Sequence, residues 1–489
     1  MRKSLVAALA VVVVAGAAVA AVPVIERHAA RQIKADMERD GQTTVGSVEV
    51  GLFDRKIVVK DTHLRQPGDI SIGLWEASGL AWPMSELIAG RTPFSGIRLG
   101  DPFQAGHVEL HDLKIVDKSM QSTIASAAVD DLRLDRYQPV QGDGQLIVLS
   151  MRIAKALSIG RLEQKQSVST DPATGNSVAI AGLTIVNYDK GKVGSFEVKD
   201  LDVAPKDASE PAFRMAEMKL TGLDLHRPIN AMSMPGWRPG MPIGRVELDS
   251  ANLTGFSGEG LSRNGISLGS ITQQTTHEAG DAKRTRLRIE GFVMAPPAGN
   301  TQALKLRMAL QSMGLKELRL ESDCSGIEDR AKEVVSIDRC VLSGPDLGEL
   351  TLAFKLVNAD KPFWAAIDDG NTFAILGSKV GLASAKVSLA DHGVLERTLK
   401  AVATTSGQLV VSVRNGFAQE VRRYQPPGIL ITDDLTKLLD TVARFIESGG
   451  TLTLEAKPET PLGIDKLAYF RRPGPDLVNM LGLTATLSR

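Results

Sequence analysis

The sequence is poor in aromatic residues and carries no net charge. Its 489 residues include 13 Phe, 4 Tyr and 4 Trp, too few for the stacking surfaces that bind single-stranded nucleic acids or sugars. The 57 Lys and Arg residues balance the 57 Asp and Glu residues, so the charge gives no reason to expect nucleic acid as a partner. Gly and Pro are close to average usage, which excludes a collagen-like or broadly disordered chain. What remains is an ordered, aliphatic chain long enough for two to four domains.

Motifs of catalysis, nucleotide binding and metal binding are also missing. The sequence has no G-x-S-x-G and no H-E-x-x-H, and GNTFAILGSK at residues 370–379 lacks the spacing of a phosphate-binding loop. His107, Glu109 and His111 share one face of a predicted strand, which a metal site would need, but this face is equally the solvent face. We therefore expect no enzyme, no cofactor and no bound metal.

The N-terminus has the pattern of an export segment. Arg2 and Lys3 precede 21 uncharged residues, Leu5 to Ile25, which as a helix would cross a hydrocarbon core of about 30 Å. Residues 1–25 are therefore interpreted as a signal anchor, the alternative being a signal peptide cleaved near Ala18-Val19-Ala20. In both cases the positive-inside bias places everything after residue 25 outside the cytoplasm.

Residues 26–44 are rich in helix-forming residues. Ala29, Ile33 and Met37 follow one another at intervals of four and form a narrow apolar stripe. The segment is predicted to be a helical stalk that leaves the membrane, and the alternative is a solvated helical linker without a recognition role.

From Val45 the hydrophobic period changes from helical to two, and one pattern recurs eight times within residues 45–360. It reads apolar, any, apolar, any, polar or glycine, apolar, any, apolar, so the alternation slips by one residue in the middle. A strand shows one face at alternate residues, and a bulge at the slip would keep both halves on the same face. The predicted bulge positions are Asp61, Asp112, Asp131, Gly182, Asp200, Gly222, Ser250 and Arg339. The body is thus predicted to be mainly β, a long bulged antiparallel sheet.

Two other regions differ from this repeat. Residues 146–164 have helical spacing and are predicted to be a connector within the β body. Residues 361–489 are predicted to form an α+β region. Its expected elements are helices from His392 to about Thr404 and from Asp433 to Glu447, with Thr432 as N-cap and Gly449 as stop, and strands at Gly407–Val413 and Gly450–Ala456.

The apolar start, the helix after it and the segment VGSVEVGLFDRKIVVKDTHLR (Val45 to Arg65), with HVELHDLKI and FEVKDLDV further on, resemble the AsmA-like family of bacterial envelope proteins. The size and layout are also similar to the YdgA-like proteins of unknown function. The resemblance extends over residues 1 to 350. It implies an inner-membrane anchor through residues 5–25, a periplasmic body, and a sheet curled into an apolar groove that shelters lipid acyl chains. The chain is shorter than the better-studied members, so bridging between two membranes does not carry over, and no catalytic residue is implied.

The apolar face of the predicted strands is either covered by another layer or left as a lipid-filled trough. The candidates for facing lipid are Ile57, Val59, Val108, Leu110, Val178, Ile180, Phe196 and Val198. Arg284, Arg286 and Arg288 share one face of a later strand with Leu287 and Ile289 behind them, and they are candidates for lipid headgroups or simply a solvated face.

Cys324 and Cys340 are the only cysteines, and an even pair in an exported protein predicts a disulfide. Leu315–Ser322 and Val334–Leu342 have the pattern of strands joined by the polar loop Ser325–Lys332, an arrangement that would bring the sulfurs together. The alternative is two buried thiols that act as small apolar side chains.

Two functions follow from these patterns. The first is a periplasmic protein, tethered to the bacterial inner membrane, that binds or helps to move phospholipids. The second is a non-enzymatic structural or assembly factor of the envelope that acts through protein contacts.

The export pattern predicts the location of the C-terminus. A phosphatase reporter that is active only after export, fused behind Arg489, is expected to be active in intact bacteria, because both interpretations of residues 1–25 place the body outside the cytoplasm. The measurement is reporter activity in whole cells, and a fusion that works only in the cytoplasm contradicts the predicted topology.

Overall fold

The computed structural model describes residues 22–489 apart from residues 40, 66–68, 81–82, 92–99, 118–119, 140–145, 207–211, 239, 279, 281, 300, 302, 427–428, 464–465 and 467–475. The chain divides into two compact units. The first consists of residues 1–210 and 221–241, and the second of residues 211–220 and 242–489. Strand β9 (Phe213–Asp224) contributes residues to both units.

The first unit is an antiparallel sheet with short helices. Its strands are β1 (Thr43–Gly51), β2 (Lys56–Leu64), β3 (Asp69–Ser78), β4 (Phe103–Val116), β5 (Gln121–Leu134), β6 (Leu157–Thr170), β7 (Ser177–Asp189) and β8 (Lys192–Ala204). Its helices are α1 (residues 22–37), α2 (Met84–Ile88), α3 (Leu146–Ala156) and α4 (His226–Met232). Each strand from β1 to β8 pairs in antiparallel fashion with the next one in the chain.

The second unit is a further antiparallel sheet with more helix. Its strands are β10 (Ser250–Thr254), β11 (Ile266–Ser267), β12 (Ser270–His277), β13 (Lys283–Met294), β14 (Leu318–Asp329), β15 (Val334–Gly344), β16 (Gly348–Val357), β17 (Gly381–Asp391), β18 (Thr451–Ala456), β19 (Leu462–Gly463) and β20 (Leu483–Ser488). Its helices are α5 (Glu259–Arg263), α6 (Leu304–Ser312), α7 (Lys361–Asp368), α8 (Val394–Ser406), α9 (Val410–Arg423), α10 (Asp433–Ser448) and α11 (Leu477–Leu481), with a 3₁₀ helix at Thr372–Gly377.

Pairing in the second unit runs from β10 through β12, β13, β14, β15, β16, β17 and β18 to β20, always antiparallel. Strand β11 pairs with β13, and β19 pairs with β17. The prediction of a mainly β, antiparallel chain is therefore confirmed.

Most of the predicted membrane segment lies outside the described residues, because the description begins at residue 22. Among the helices that the structure does describe, none has the length and apolar character needed to cross a bilayer.

The predicted slip in the alternation occurs in the first unit, but left-handed residues produce it and not bulges. Asp61, in β2, has a left-handed backbone with φ of 53°. The pairs on either side of it, Val45 with Thr62 and Ser47 with Lys60, keep the same register. No residue is inserted in one strand alone. Instead, the side chains change face at Asp61 in β2 and at Gly46 in β1, and these two residues lie opposite each other in one row of the sheet.

Two such rows cross the sheet of the first unit, the first from β1 to β8 and the second from β4 to β8, with left-handed and small residues on alternate strands. One row consists of Gly46, Asp61, Gly73, Asp112, Ala125, Gln166, Ala181 and Asp200, of which Asp61, Asp112, Gln166 and Asp200 are left-handed. A second row consists of Gly106, Asp131, Gly160, Asn187 and Gly194, of which Asp131 and Asn187 are left-handed. The small partner leaves space for the side chain opposite, since a Cβ on Gly160 would lie 2.8 Å from Asp131 Oδ2.

The eight predicted bulges therefore have three outcomes. A left-handed residue stands at Asp61, Asp112, Asp131, Asp200 and Gly222, and the register continues past the first four. A true bulge occurs beside Arg339, where the register of β15 shifts against both of its neighbours. The predictions at Gly182 and Ser250 are wrong, because Gly182 pairs regularly with Lys165 and Lys199 and β10 only begins at Ser250.

Helix α1 is not a free-standing stalk. Its apolar stripe packs on the sheet, where Ala29 and Ile33 are buried in one hydrophobic cluster with Ile57 and Val59 of β2. The helix therefore covers the first strands of the apolar face. Sequence spacing found the stripe but not the surface that it covers.

Helix predictions near strands were partly wrong. The predicted connector at residues 146–164 is helical only to Ala156, and its second half begins β6, where Ile159 is buried in the sheet. The predicted strand Gly407–Val413 is wrong: Val410 begins α9, and Val413 packs on Leu399 of α8. Tertiary packing overrides the strand propensity of these valines.

The other C-terminal predictions are confirmed. Helix α8 covers most of the stretch from His392 to about Thr404, and α10 begins after Thr432, whose hydroxyl accepts a hydrogen bond from Leu435 N. Gly449 ends α10, and β18 follows within the predicted Gly450–Ala456.

The row geometry predicts that Gly46 cannot take a side chain. An alanine Cβ at this position would lie 2.9 Å from Asp61 Cβ and 3.1 Å from Lys60 O. We expect Gly46→Ala to lower the free energy of unfolding by about 1–3 kcal/mol, because crowding in a packed sheet forces the backbone to move. The measurement is the denaturant midpoint of the full chain.

The matched control is Gly51→Ala on the same strand. Its Cβ would meet Lys56 Cβ at 3.6 Å, an ordinary contact, so we expect little change or a small gain in stability. Equal midpoints for the two variants would contradict the proposed role of the small residues.

Candidate functional site

One face of the first sheet is lined by apolar side chains in four rows that run across the strands. The first row is Val50, Ile57, Ala77, Val108, Val129, Leu162, Ile185 and Phe196, and the second is Val48, Val59, Trp75, Leu110, Ala127, Gln164, Leu183 and Val198. Beyond the slip come Val45, Thr62, Ile72, Leu113, Ile124, Ser167, Ile180 and Leu201, and then Thr43, Leu64, Ile70, Ile115, Ser122, Ser169, Val178 and Val203. We call these four rows the apolar face. Because the strands slip together, the side chains on both sides of the slip stay on it.

The opposite face is polar. Thr184 of β7, for example, pairs with Glu163 on one side and Glu197 on the other. The alternation thus separates a charged surface, on which Glu163 pairs with Arg161 and Glu197 with Lys199, from the apolar face.

Helix α1 covers only one end of the apolar face. The buried cluster beneath it reaches Ala105, with Val108 packed against its edge. Further along the first row, Val129, Leu162 and Ile185 are only half-buried. The central part of the apolar face, from β4 onward, therefore extends beyond the surface that α1 covers.

All eight predicted lipid-facing residues lie on the apolar face, but their side chains differ in solvent exposure. Ile57 and Val59 are 0% exposed beneath α1, so the prediction that they face lipid is wrong. Val198 is also buried, at 3%. Val108, Leu110, Ile180 and Phe196 are half-buried, and Val178 is 38% exposed.

A cationic cavity lies beside α3. Tyr188 of β7 donates a hydrogen bond from its hydroxyl to Ala154 O of α3 at 2.7 Å, which holds the helix in place. The cavity has a volume of about 450 Å³, and its charged lining residues are Asp135, Arg136, Arg152, Lys155 and Lys190. The four cations outnumber the carboxylates beside them, Asp135 near Lys190 and Asp101 3.8 Å from Arg136, which makes the cavity suited to an anionic group.

Three contacts shape this cationic cavity. Arg152 donates from Nη1 to Gln138 O at 3.0 Å and from Nε to Ser233 O at 3.2 Å. Lys190 Nζ lies 2.7 Å from Asp135 Oδ2. Sequence reasoning missed the cavity, because its cations come from a strand end, a helix and a turn that are distant in the chain.

The three candidate headgroup arginines lie in the second unit and are already engaged. Arg284 donates to Glu278 at 2.8 Å and to Asp338 at 2.7 Å. Arg286 and Arg288 both contact Asp323, and the hydrogen bond from Arg286 lowers the pKa of that carboxyl below its usual value. Carboxylates therefore neutralise this face, which argues against a headgroup site.

The structure joins Cys324 and Cys340 in a disulfide between directly opposed residues of β14 and β15. The predicted loop is wrong, because β14 continues to Asp329 and the turn occupies residues 330–333. The disulfide shares a row with Leu287 and Leu352, on the other face of the sheet from the arginines.

His107, Glu109 and His111 do share one face, as predicted. They form a ladder of ion pairs: His107 Nδ1 lies 2.6 Å from Asp130 Oδ1, and His111 Nε2 lies 2.9 Å from Glu109 Oε1. Within the described residues, no cluster of His, Cys, Asp and Glu has the arrangement of a metal site.

Comparison with known proteins adds one match. A family model with the description "Uncharacterized protein" matches residues 341–488, which lie in the second unit and make up less than half of the chain. No curated protein matches the chain.

The histidine ladder predicts a pH dependence. The hydrogen bond to Asp130 raises the pKa of His107 above its usual value. Its contribution to stability is therefore fully present below about pH 6.5 and is lost as the pH rises through the higher folded-state pKa. We expect His107→Gln to cost less than about 1 kcal/mol at pH 5.5, because the pair is partly exposed, and still less at pH 8.5.

Thermal midpoints of both proteins at the two pH values measure this difference. Asp130→Asn is the control, since it removes the partner that raises the pKa most, leaves Glu109 in place, and should weaken the pH dependence of the His107→Gln effect. A deficit that is the same at both pH values would show that protonation of His107 has no role.

Proposed function

We propose that the chain is a periplasmic protein, tethered to the bacterial inner membrane by its N-terminal segment, whose first unit shelters lipid acyl chains on the apolar face. The observation that carries the proposal is that the apolar face is larger than the surface that α1 covers. Four rows of apolar side chains cross eight strands, yet the buried cluster under α1 ends near Val108.

The energetics of such a surface suit a lipid. Removing one methylene group from water contributes about 0.8 kcal/mol, so an acyl chain laid along half-buried Val129, Leu162 and Ile185 gains useful affinity from a few contacts. The binding is non-directional, which matches a face that offers few hydrogen-bonding groups.

The cationic cavity supplies the polar half of the proposed site. It is lined by residues of α3, which is hydrogen-bonded to β7, so a phosphate held by Arg136 and Lys155 would lie beside the sheet that carries the rows. In this role the cavity replaces Arg284, Arg286 and Arg288, whose charges are neutralised by carboxylates.

The second candidate function is a structural or assembly factor that acts through protein contacts. The second unit favours it, because the C-terminal helices expose apolar side chains: Leu409 is 77% exposed and Val411 is 65% exposed at the start of α9. Such residues would suit a protein partner.

Lipid binding is tested by native mass spectrometry of the full chain purified from bacterial membranes, with extraction and identification of bound lipid. We expect bound phospholipid in the wild type and a several-fold loss of occupancy in Ile185→Lys, because a charge in the middle of the first row disfavours acyl chains. A wild-type protein that carries no lipid would overturn the proposal.

Thr184→Lys is the matched control on the same strand. Its side chain lies on the opposite face between Glu163 and Glu197, where a lysine is well accommodated. We expect unchanged lipid occupancy, and equal thermal midpoints for the two variants would show that both are folded. The same loss in both variants would contradict binding on the apolar face.

A further inference from the structure

The direction of α1 along the sheet is fixed by three contacts. Near its start, Glu26 Oε1 accepts a hydrogen bond from Leu52 N at 3.1 Å, at the far end of β1. Lys34 Nζ donates to Gly46 O at 3.0 Å, and Glu38 Oε1 accepts from Val45 N at 2.9 Å. The helix therefore runs along β1 from the β1–β2 turn toward the start of the strand.

This direction brings the β1–β2 turn to the place where the apolar N-terminal run ends. The run Leu5 to Ile25 stops one residue before Glu26, and Glu26 is hydrogen-bonded to the first residue of the turn. Val22 and Ile25, at the end of the run, still pack against the buried cluster, so a bilayer that the run enters would begin before them, one helical turn (roughly 6 Å) beyond the β1–β2 turn.

The turn itself has an amphipathic surface. Leu52 is buried under α1 at 5% exposure, whereas Phe53 is 77% exposed. Val24 of α1, near the same end, is 65% exposed. Arg27 and Arg55 are exposed on the two elements, and so is Asp54 beside Phe53. The two cations outnumber this carboxylate, and exposed apolar side chains with cations nearby are typical of segments that lie in the interface of an anionic bilayer.

We propose that the β1–β2 turn is a second membrane contact, in which Phe53 inserts into the interfacial layer of the bilayer that residues 5–25 enter. The inference rests on the proposed tether and goes beyond it. A single tether leaves the body free to rotate about it, whereas a second contact fixes the end of strands β1 and β2 against the membrane.

The test is photocrosslinking of the full chain reconstituted in vesicles of phosphatidylethanolamine and phosphatidylglycerol. Phe53→p-benzoylphenylalanine keeps an aromatic ring at an exposed position and leaves the core intact. Met120→p-benzoylphenylalanine is the control, because Met120 is 43% exposed in the β4–β5 turn at the other end of the strands. With about 3.3 Å per residue, a nine-residue strand separates the two ends by roughly 30 Å.

A third position separates this inference from lipid binding on the sheet. Val178→p-benzoylphenylalanine places the crosslinker on the apolar face, in the row farthest from the β1–β2 turn. Adducts there report lipid held by the sheet, whatever happens at the turn.

We expect lipid adducts at position 53 in about tenfold higher yield than at position 120, because only the former lies within reach of the interface. Three outcomes overturn the inference. Absence of adducts at position 53 in a chain that still sediments with the vesicles leaves the tether intact but removes the second contact. Equal yields at positions 53 and 120 indicate general adsorption. A chain that washes off the vesicles removes the tether and the second contact together, while adducts at position 178 still decide lipid binding.

Discussion

The structure of the first unit depends on one constraint, that neighbouring strands must slip in the same row. A left-handed residue in one strand turns the following side chains over, and pairing survives only if the adjacent strand turns over beside it. Asp61 opposite Gly46, and Asp131 opposite Gly160, meet this condition with a left-handed residue against a glycine. The row of Asp61 then crosses all eight strands and the row of Asp131 crosses β4 to β8, both without a break in register, and a single apolar face extends over both halves of every strand.

Within the described residues, this face is larger than the cluster that is buried on it. Helix α1 buries the first strands, and α3 is held beside β7 by the hydrogen bond from Tyr188 to Ala154. Beyond the buried cluster, Val129, Leu162 and Ile185 stay half-buried. An open apolar face is what the proposed lipid binding requires, and the cationic cavity beside α3 adds the charge that a phosphate group needs.

Carboxylates pair with the cations of the two units to different extents. Arg284, Arg286 and Arg288 line one face of β13, and each contacts a carboxylate, so their face is close to neutral although Arg284 and Arg286 also line a cavity with Arg339. In the cationic cavity, Lys190 and Arg136 lie near Asp135 and Asp101, but Arg152 is held by two backbone carbonyls, which position the guanidinium without cancelling its charge. The groups that hold an arginine are therefore a better indication of an anion site than its place in a sequence pattern.

The sequence by itself determined the strands, the face that each apolar side chain takes, the slip at the four aspartates of the first unit and the cysteine pair, because alternation and left-handed preference are local properties. The sequence did not reveal the left-handed backbone of Gln166, because glutamine has no preference for it. Only the slip of the neighbouring strands requires this conformation there. Tertiary structure alone decided that α1 covers Ile57 and Val59, that Val410 begins a helix, and that four distant cations share a cavity. These outcomes depend on which surfaces meet, and a local pattern shows that a side chain is apolar or charged without showing what lies against it.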